Sequence, residues 1–448
     1  MKALAEFFLY FSLVILSCLT AGCTSEVDII GGTPETPENP QANDPNRRSV
    51  VISLQNKLIL VNGTPESRAI TRDGIAEEDE NRIESFDIYA FGSDKEEGPY
   101  TFQEHFAYRS DAGTLPTGAS PIDLKADEAA GKINVVFYPR KGLFTKFYCV
   151  ANQTEMNDAA GNIYTNYTPL QQSSQTQSGV PGDIVTSPGT PTESDFIKLN
   201  TPLLNPTGFN ANILLAPLPM SGANSQPTDL REYSMGTYVR LNVSLTRAVA
   251  RFDIVNDATK SHFTITDISM GNGRQGVTLF PIRPTGDVPA TNGQLITYPY
   301  RLFDGLNANA GTTTKAFYCY PCKAIDAGFL ILKGLYTMNL TDEKKEVSYR
   351  IPFERVTDGN GTRIEINHNH RYTVQITEAD PFELTANIRL VDWETGDYID
   401  DYEPDNGLET IAVADLLPVG ETTYNISTNI VTLALKVGSS FTVSTGSN

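Results

Sequence analysis

Two short motifs carry side chains able to do chemistry. Cys319-Tyr320-Pro321-Cys322 has the spacing of a dithiol redox site or of half a zinc site. A reactive pair needs a thiolate, which a helix N-terminus favours by lowering a thiol pKa. Here the pair follows the strand-like run TTTKAFY at 312–318. Residues three apart on a strand face opposite ways, so the two sulfurs diverge unless Pro321 turns the chain. A closed zinc site would need a second CxxC or a nearby pair of His, and neither is present. Packing of two thiols is the expectation, with a turn disulfide as the alternative. His368-Asn369-His370 puts two imidazoles on one face of a strand. A third ligand is not evident, so polar caps at the start of a strand are expected rather than a metal site.

Other signals for catalysis are weaker. Gly271 to Gly276 (GNGRQG) lacks the Lys-Ser/Thr and the following helix of a phosphate loop, and reads as a turn. No Ser, His and Asp stand in a recognisable nucleophile motif. Asn62-Gly63-Thr64 and Asn166-Tyr167-Thr168 match glycosylation acceptors, a pattern frequent by chance. The expectation is a protein that is not an enzyme, with no catalytic residues, no metal and no cofactor.

Composition sets further bounds. The 448 residues allow one to three domains, and 40% apolar residues suffice for real cores. The 54 acidic residues outnumber 34 basic ones, for a net charge of -20. Nucleic acid as a partner is thereby disfavoured, because it requires concentrated Lys and Arg. Of five cysteines, Cys149, Cys319 and Cys322 remain after the N-terminal region, too few for a disulfide framework.

The first 23 residues, MKALAEFFLYFSLVILSCLTAGC, indicate export. Lys2 precedes an almost unbroken apolar run from Phe7 to Leu19, too short for a comfortable membrane span. Leu19-Thr20-Ala21-Gly22-Cys23 reads as a lipobox, where a bacterial lipoprotein is acylated and cut. Residues 1–22 are therefore expected to be a lipoprotein signal peptide, with the mature chain lipidated at Cys23 and outside the cytoplasm. Residues 23–48, rich in Pro, Gly and acidic or amide side chains, read as a flexible tether.

From residue 49 the period is two. Val50, Ile52, Leu54, Leu58 and Leu60 form one apolar face, interrupted at Asn56. The polar segment 62–82 reads as an exposed loop, and a second strand runs from Ile83 to Phe91. Further strands are expected at 133–138, 143–151, 213–218, 238–255, 263–269, 313–320, 329–340, 346–353, 372–377 and 384–393. A last pair is expected within 424–445. Helical spacing occurs only at Leu124–Ala130 and Ala412–Leu417. The class is all-β, with a sandwich domain at 49–230, a second at 231–400 and an extension at 401–448. Residues 168–195 read as a long insertion, and SGANSQPTDLRE at 221–232 as the domain break.

Two distant segments present interchangeable faces. Val431, Leu433, Leu435, Val437, Phe441 and Val443 repeat the apolar alternation of the first strand, with a possible hairpin turn at Gly438-Ser439-Ser440. Between the first and second strands, Arg68 and Arg72 lie in flexible sequence suited to a trypsin-like protease. Loss of the first strand would expose five apolar seats, on the order of 10 kcal/mol of burial at roughly 2 kcal/mol each. A strand from another copy can fill such a slot, and head-to-tail repetition gives a filament.

The chain resembles the fimbrillins, shaft and accessory subunits of type V pili of Bacteroidales. The resemblance covers roughly residues 19–396. It rests on the lipobox, SVVISLQNKLILV (49–61), the Arg-containing loop before ENRIESFDIYAFG, KFYCVAN (146–152) and LPMSGAN (218–224). LTRAVARFDI (245–254), INHNHRYTVQIT (366–377) and VDW (391–393) complete it. It implies tandem transthyretin-like, Greek-key sandwiches and a lipidated precursor cleaved after an Arg behind the first strand. A neighbour's C-terminal strand then takes the vacated place. Carried over, the cleavage candidates are Arg68 and Arg72, with Arg82 third, and 424–445 is the candidate donor, with a hairpin of an appended module as the alternative. The 50 or so residues after Trp393 exceed the tail expected of a main shaft subunit. Arg247 and Arg251 are expected to be structural. Implied partners are other pilus subunits, the outer membrane through the lipid before cleavage, an extracellular trypsin-like protease, and host or bacterial surface ligands. Alternatives are an uncleaved lipid-anchored pilus anchor and a surface glycan-binding lipoprotein.

Overall fold

A computed structural model describes residues 39, 41–55, 59–60, 76–111, 113–127, 132–158, 162–165, 192–207, 211–231, 238–280, 294–339, 343–357, 360–381, 383–393 and 398–402. Residues 41–448 fall within one unit. The described part is two β-sandwiches in tandem. Each forms because strands with one apolar face must cover that face with another sheet.

In the first sandwich, one sheet has the spatial order Val239–Val243, Val50–Leu54, Lys132–Phe137, Asp123–Asp127. The other has the order Thr246–Arg247, Met220–Asp229, Phe144–Ala151, Ser85–Ser93, Thr101–Arg109, Ala119–Pro121. Val50, Ile52 and Leu54 meet Phe86, Ile88, Phe147 and Cys149 in one core. The Ser85–Ser93 strand is buried along its whole length. Its opposite face, with Tyr89 and Phe91, packs on Phe196, Leu279 and Phe280. Strands Val239–Val243 and Thr246–Arg247, which follow the proposed break at 230/231, complete the sheets of this first sandwich.

The second sandwich pairs a five-stranded sheet, ordered Ala310–Cys319, Ala250–Asp257, His370–Ala379, Leu384–Asp392, Tyr398–Tyr402, with a four-stranded one. The latter runs Arg301–Leu302, Phe263–Gly271, Phe329–Tyr336, Lys345–Pro352. Phe252, Ile254, Val374 and Ile388 close on Ile265, Leu330, Leu332 and Tyr349.

Four local expectations are corrected. Residues 123–127, expected to be helical in part, form a strand whose Leu124 pairs with Val135, so sheet pairing overrides helical spacing. Residues 213–218 are not a strand. The polar run expected as a break is instead the ten-residue strand Met220–Asp229. Its Gly222 allows close approach, since a Cβ there would lie 2.3 Å from the Ser244 carbonyl oxygen. The single strand expected over 238–255 is three, at 239–243, 246–247 and 250–257. Of the stretches with helical spacing, 412–417 lies outside the described residues.

Candidate functional site

The first strand occupies the interior of a sheet, not its edge. Val50–Leu54 runs antiparallel to Lys132–Phe137 and parallel to Val239–Val243. Three cross-sheet rows result: Val239-Val50-Phe137, Leu241-Ile52-Val135 and Val243-Leu54-Ile133. Val50, Ile52 and Leu54 are each 0% exposed. At about 2 kcal/mol per fully buried side chain, these three account for about 6 kcal/mol of burial. Withdrawal of the strand would also open two ladders of backbone groups, each of which seeks a partner when buried.

On the opposite face, which also carries Val51, the polar side chains of Ser53 and Gln55 are paired. Ser53 Oγ donates to Asn134 Oδ1 at 2.7 Å, and Gln55 Nε2 donates to Asn242 Oδ1 at 2.8 Å. The Gln55 amide donates to the Val243 carbonyl at 3.0 Å. These bonds pin the register, because a slip by one residue would exchange the two faces.

The stretch before the strand departs from the expected tether. Residues 41–48 are held against the sandwich. Arg47 Nη1 lies 2.8 Å from Glu104 Oε1 and donates to the Tyr138 carbonyl at 2.6 Å. The Arg48 amide donates to the Pro139 carbonyl, and the Lys141 amide to the Asn46 carbonyl. Composition suggested a free segment, but one long side chain finds a half-buried carboxylate and backbone oxygen together.

Of the remaining predicted site residues, Leu60 lies in the short strand Ile59–Leu60, parallel to Arg82–Ile83. Arg82, third among the cleavage candidates, is in that pairing, and its carbonyl accepts from Asn152 Nδ2 at 2.8 Å. Cys23, Leu58, Arg68, Arg72 and the segment holding Val431, Leu433, Leu435, Val437, Phe441 and Val443 lie outside the described residues.

The cysteines and His368 of the motifs with redox or metal spacing are buried. Cys149, Cys319 and Cys322 are free and buried, so the turn disulfide is not formed. Burial pushes the Cys322 thiol up to about 12 and raises those of Cys149 and Cys319 as well. Such thiols are poor nucleophiles. His370 Nδ1 sits 2.7 Å from the His368 carbonyl oxygen, and His368 is buried. Among the described residues no group of three or more His, Cys, Asp or Glu is placed to hold a metal ion.

A second constellation begins at Glu77, a few positions after Arg68 and Arg72 in the sequence. Glu80 is 0% exposed. It accepts from Arg251 Nη1 at 2.7 Å and from the Tyr318 hydroxyl. Arg251 Nε also donates to Asp253 Oδ1 at 2.7 Å. Arg247 donates to the Asn81 side chain and lies over the Trp393 ring, 4.9 Å from its centroid. Tyr318 stacks on the same indole. Outside this group, Lys315 Nζ bridges Glu77 at 2.8 Å and Asp79 at 2.9 Å. Burial pushes the Glu80 carboxyl above its ordinary range, against the pull of Arg251, Tyr318 and Arg247. The structural assignment of Arg247 and Arg251 was legible from their place in a strand-like run. Glu80 was not, because EEDEN reads as solvated loop.

Neither a protein-family model nor a curated protein sequence matches the chain. It is similar to solved fimbrial proteins of Bacteroidales. With the tip fimbrial protein Mfa3 from Porphyromonas gingivalis, C-terminally truncated, it shares 14% identity over 78% of this chain and 100% of that one, at a TM-score of 0.43. With a fimbrial assembly protein from Parabacteroides distasonis the values are 12%, 80%, 98% and 0.40. With the fimbrial anchor protein Mfa2 from Porphyromonas gingivalis they are 9%, 79%, 100% and 0.31. At such identities and TM-scores the likeness does not by itself assign a role.

Proposed function

We propose that the chain is the exported precursor of a pilus subunit, lipidated at Cys23 and activated by removal of its first strand. An extracellular trypsin-like protease cuts after Arg68 or Arg72. The segment 49–61 leaves, and a C-terminal strand of another subunit, here within 424–445, fills the slot by donor-strand exchange. The product is a surface fimbria supporting adhesion and biofilm formation.

One observation carries this reading. The strand on the N-terminal side of the cleavable loop is central to its sheet, with both neighbours supplied by sequence far downstream. Removing it leaves a slot bounded on both sides, which a strand of matching alternation can enter. The Val431–Val443 segment has that alternation in its sequence.

A second reading has its own support. The Arg47–Glu104 pair and the backbone bonds at residues 46–48 hold the region preceding the first strand. Retention of that strand, with the lipid, would make the chain an uncleaved anchor of the pilus.

The N-terminal residue of the protein recovered from cells tests both. Ala69 or Asp73, together with polymers that resist mild detergent, is the expected result. A protein that begins at the lipidated Cys23 and stays monomeric after limited trypsin would sink the polymer reading and leave the anchor.

A further inference from the structure

We infer that Glu77–Asn81 is a clamp that keeps the chain downstream of Arg68 and Arg72 locked to the second sandwich when it is cut there. The clamp works whatever agent cuts the chain. It therefore stands or falls separately from polymer formation.

The lock is built from three parts of the sequence. The first is the segment Glu77 to Asn81, in which the Glu77 amide donates to Glu80 Oε2 at 2.7 Å, so the turn is closed on itself. The second is the run from Arg247 to Asp253, which joins the two sandwiches. Arg251 reaches Glu80 across 171 positions, and Arg247 reaches the Glu80 carbonyl oxygen and the Asn81 side chain. The third belongs to the same sheet as Arg251: Lys315 and Tyr318 on the paired Ala310–Cys319 strand, and Trp393 just past the Leu384–Asp392 strand. Arg251, Glu80 and Asp253 are each no more than 1% exposed. Breaking a buried pair by removing one partner leaves an uncompensated charge, so opening such a site piecemeal is costly.

The consequence concerns the ends created by cleavage. Without the clamp, a cut near Arg68 or Arg72 would let the new N-terminus peel back toward Ser85. With it, the free arm ends at Glu77. Trp393, which closes the Leu384–Asp392 strand, is packed into the same cluster. The end of the Leu384–Asp392 strand and the limit of the new N-terminal arm are thus held by one set of side chains.

The full chain, with the recognition sequence of a site-specific protease inserted between Pro65 and Glu66, tests the inference. The readouts are amide hydrogen exchange of a peptide spanning 77–83 and the emission of Trp393, the chain's one tryptophan. After cutting, protection of 77–83 and the Trp393 emission maximum should stay as in the uncut chain. In Glu80→Ala, cutting should speed exchange at 77–83 at least tenfold and shift Trp393 emission to the red. Should Glu80→Ala fail to fold, Glu80→Gln retains the volume and still removes the charge, and should show the same effect in smaller degree. Loss of protection in the cut parent chain, or cut variants indistinguishable from it, overturns the clamp. A chain that keeps the clamp but never polymerises counts against the pilus reading alone.

Discussion

Arg47 and Glu104 form an ion pair at 2.8 Å where the chain enters its seat beside the Lys132–Phe137 strand. Both side chains are largely shielded, at 13% and 11% exposure. The pair sits upstream of the strand whose release is proposed, so it acts as a latch on that release. Arg47→Ala should weaken the hold by about 2 kcal/mol, the value of a hydrogen bond to a charged group. That corresponds to exchange of the 50–54 amides about 30-fold faster by local opening. Hydrogen exchange on the uncut precursor checks it, and unchanged rates would show that the latch is inert.

The interior position of the first strand makes a different prediction for its two faces. Ile52→Ala removes buried methyl groups from the row Leu241-Ile52-Val135 and should cost about 2–5 kcal/mol. Val51→Ala, on the half-buried opposite face, should cost less than 1 kcal/mol, on the order expected of surface changes. Urea unfolding of the uncut protein, followed by a first-sandwich probe, separates them. Equal costs would mean that the strand has no inward face.

Burial should render the three described thiols inert. Iodoacetamide applied to the native protein at mildly alkaline pH should leave Cys149, Cys319 and Cys322 unmodified, and all three should react in denaturant. Peptide mapping by mass spectrometry reads the outcome. Rapid native labelling of Cys319 or Cys322 would reopen a redox role for the CxxC motif.

The outer limb of the clamp is pH-dependent. Burial opposes ionisation of Glu77, but hydrogen bonds from Lys315 and Thr314 and the charges of Lys315 and Arg251 outweigh it. The carboxyl is held below its ordinary value of 4.5. A depressed carboxyl contributes stability that is present above its unfolded value and lost as pH falls through the folded one. Lys315→Met should therefore destabilise the protein at neutral pH, and the difference from the parent should shrink below pH 4.5. Thermal melts across that range test the sign. A gap that widens on acidification would contradict the assignment.

Much of the fold was legible because the relevant signal is local. Strand-like patterning marked 133–138 and 372–377 as strands, and Val50, Ile52 and Leu54 as one apolar face, without any knowledge of their partners. The same rule failed at Met220–Asp229, where small polar residues leave no alternation to see and pairing with Phe144–Ala151 and Thr246–Arg247 makes a strand of them. It failed again at Leu124, whose partner Val135 overrules a weak helical spacing.

Local order thus determined by itself that the chain is built of strands, which of their faces are apolar, and that the first strand is apolar enough to be buried. Tertiary structure alone decided that Ile52 lies between Val135 and Leu241, that Arg47 meets Glu104, and that Glu80 in an acidic loop is enclosed by Arg251. Alternation is a property of neighbouring residues. Strand order and charge pairing join distant positions, such as Asp79 and Lys315, 236 apart, and are selected only when whole sheets close over a common core.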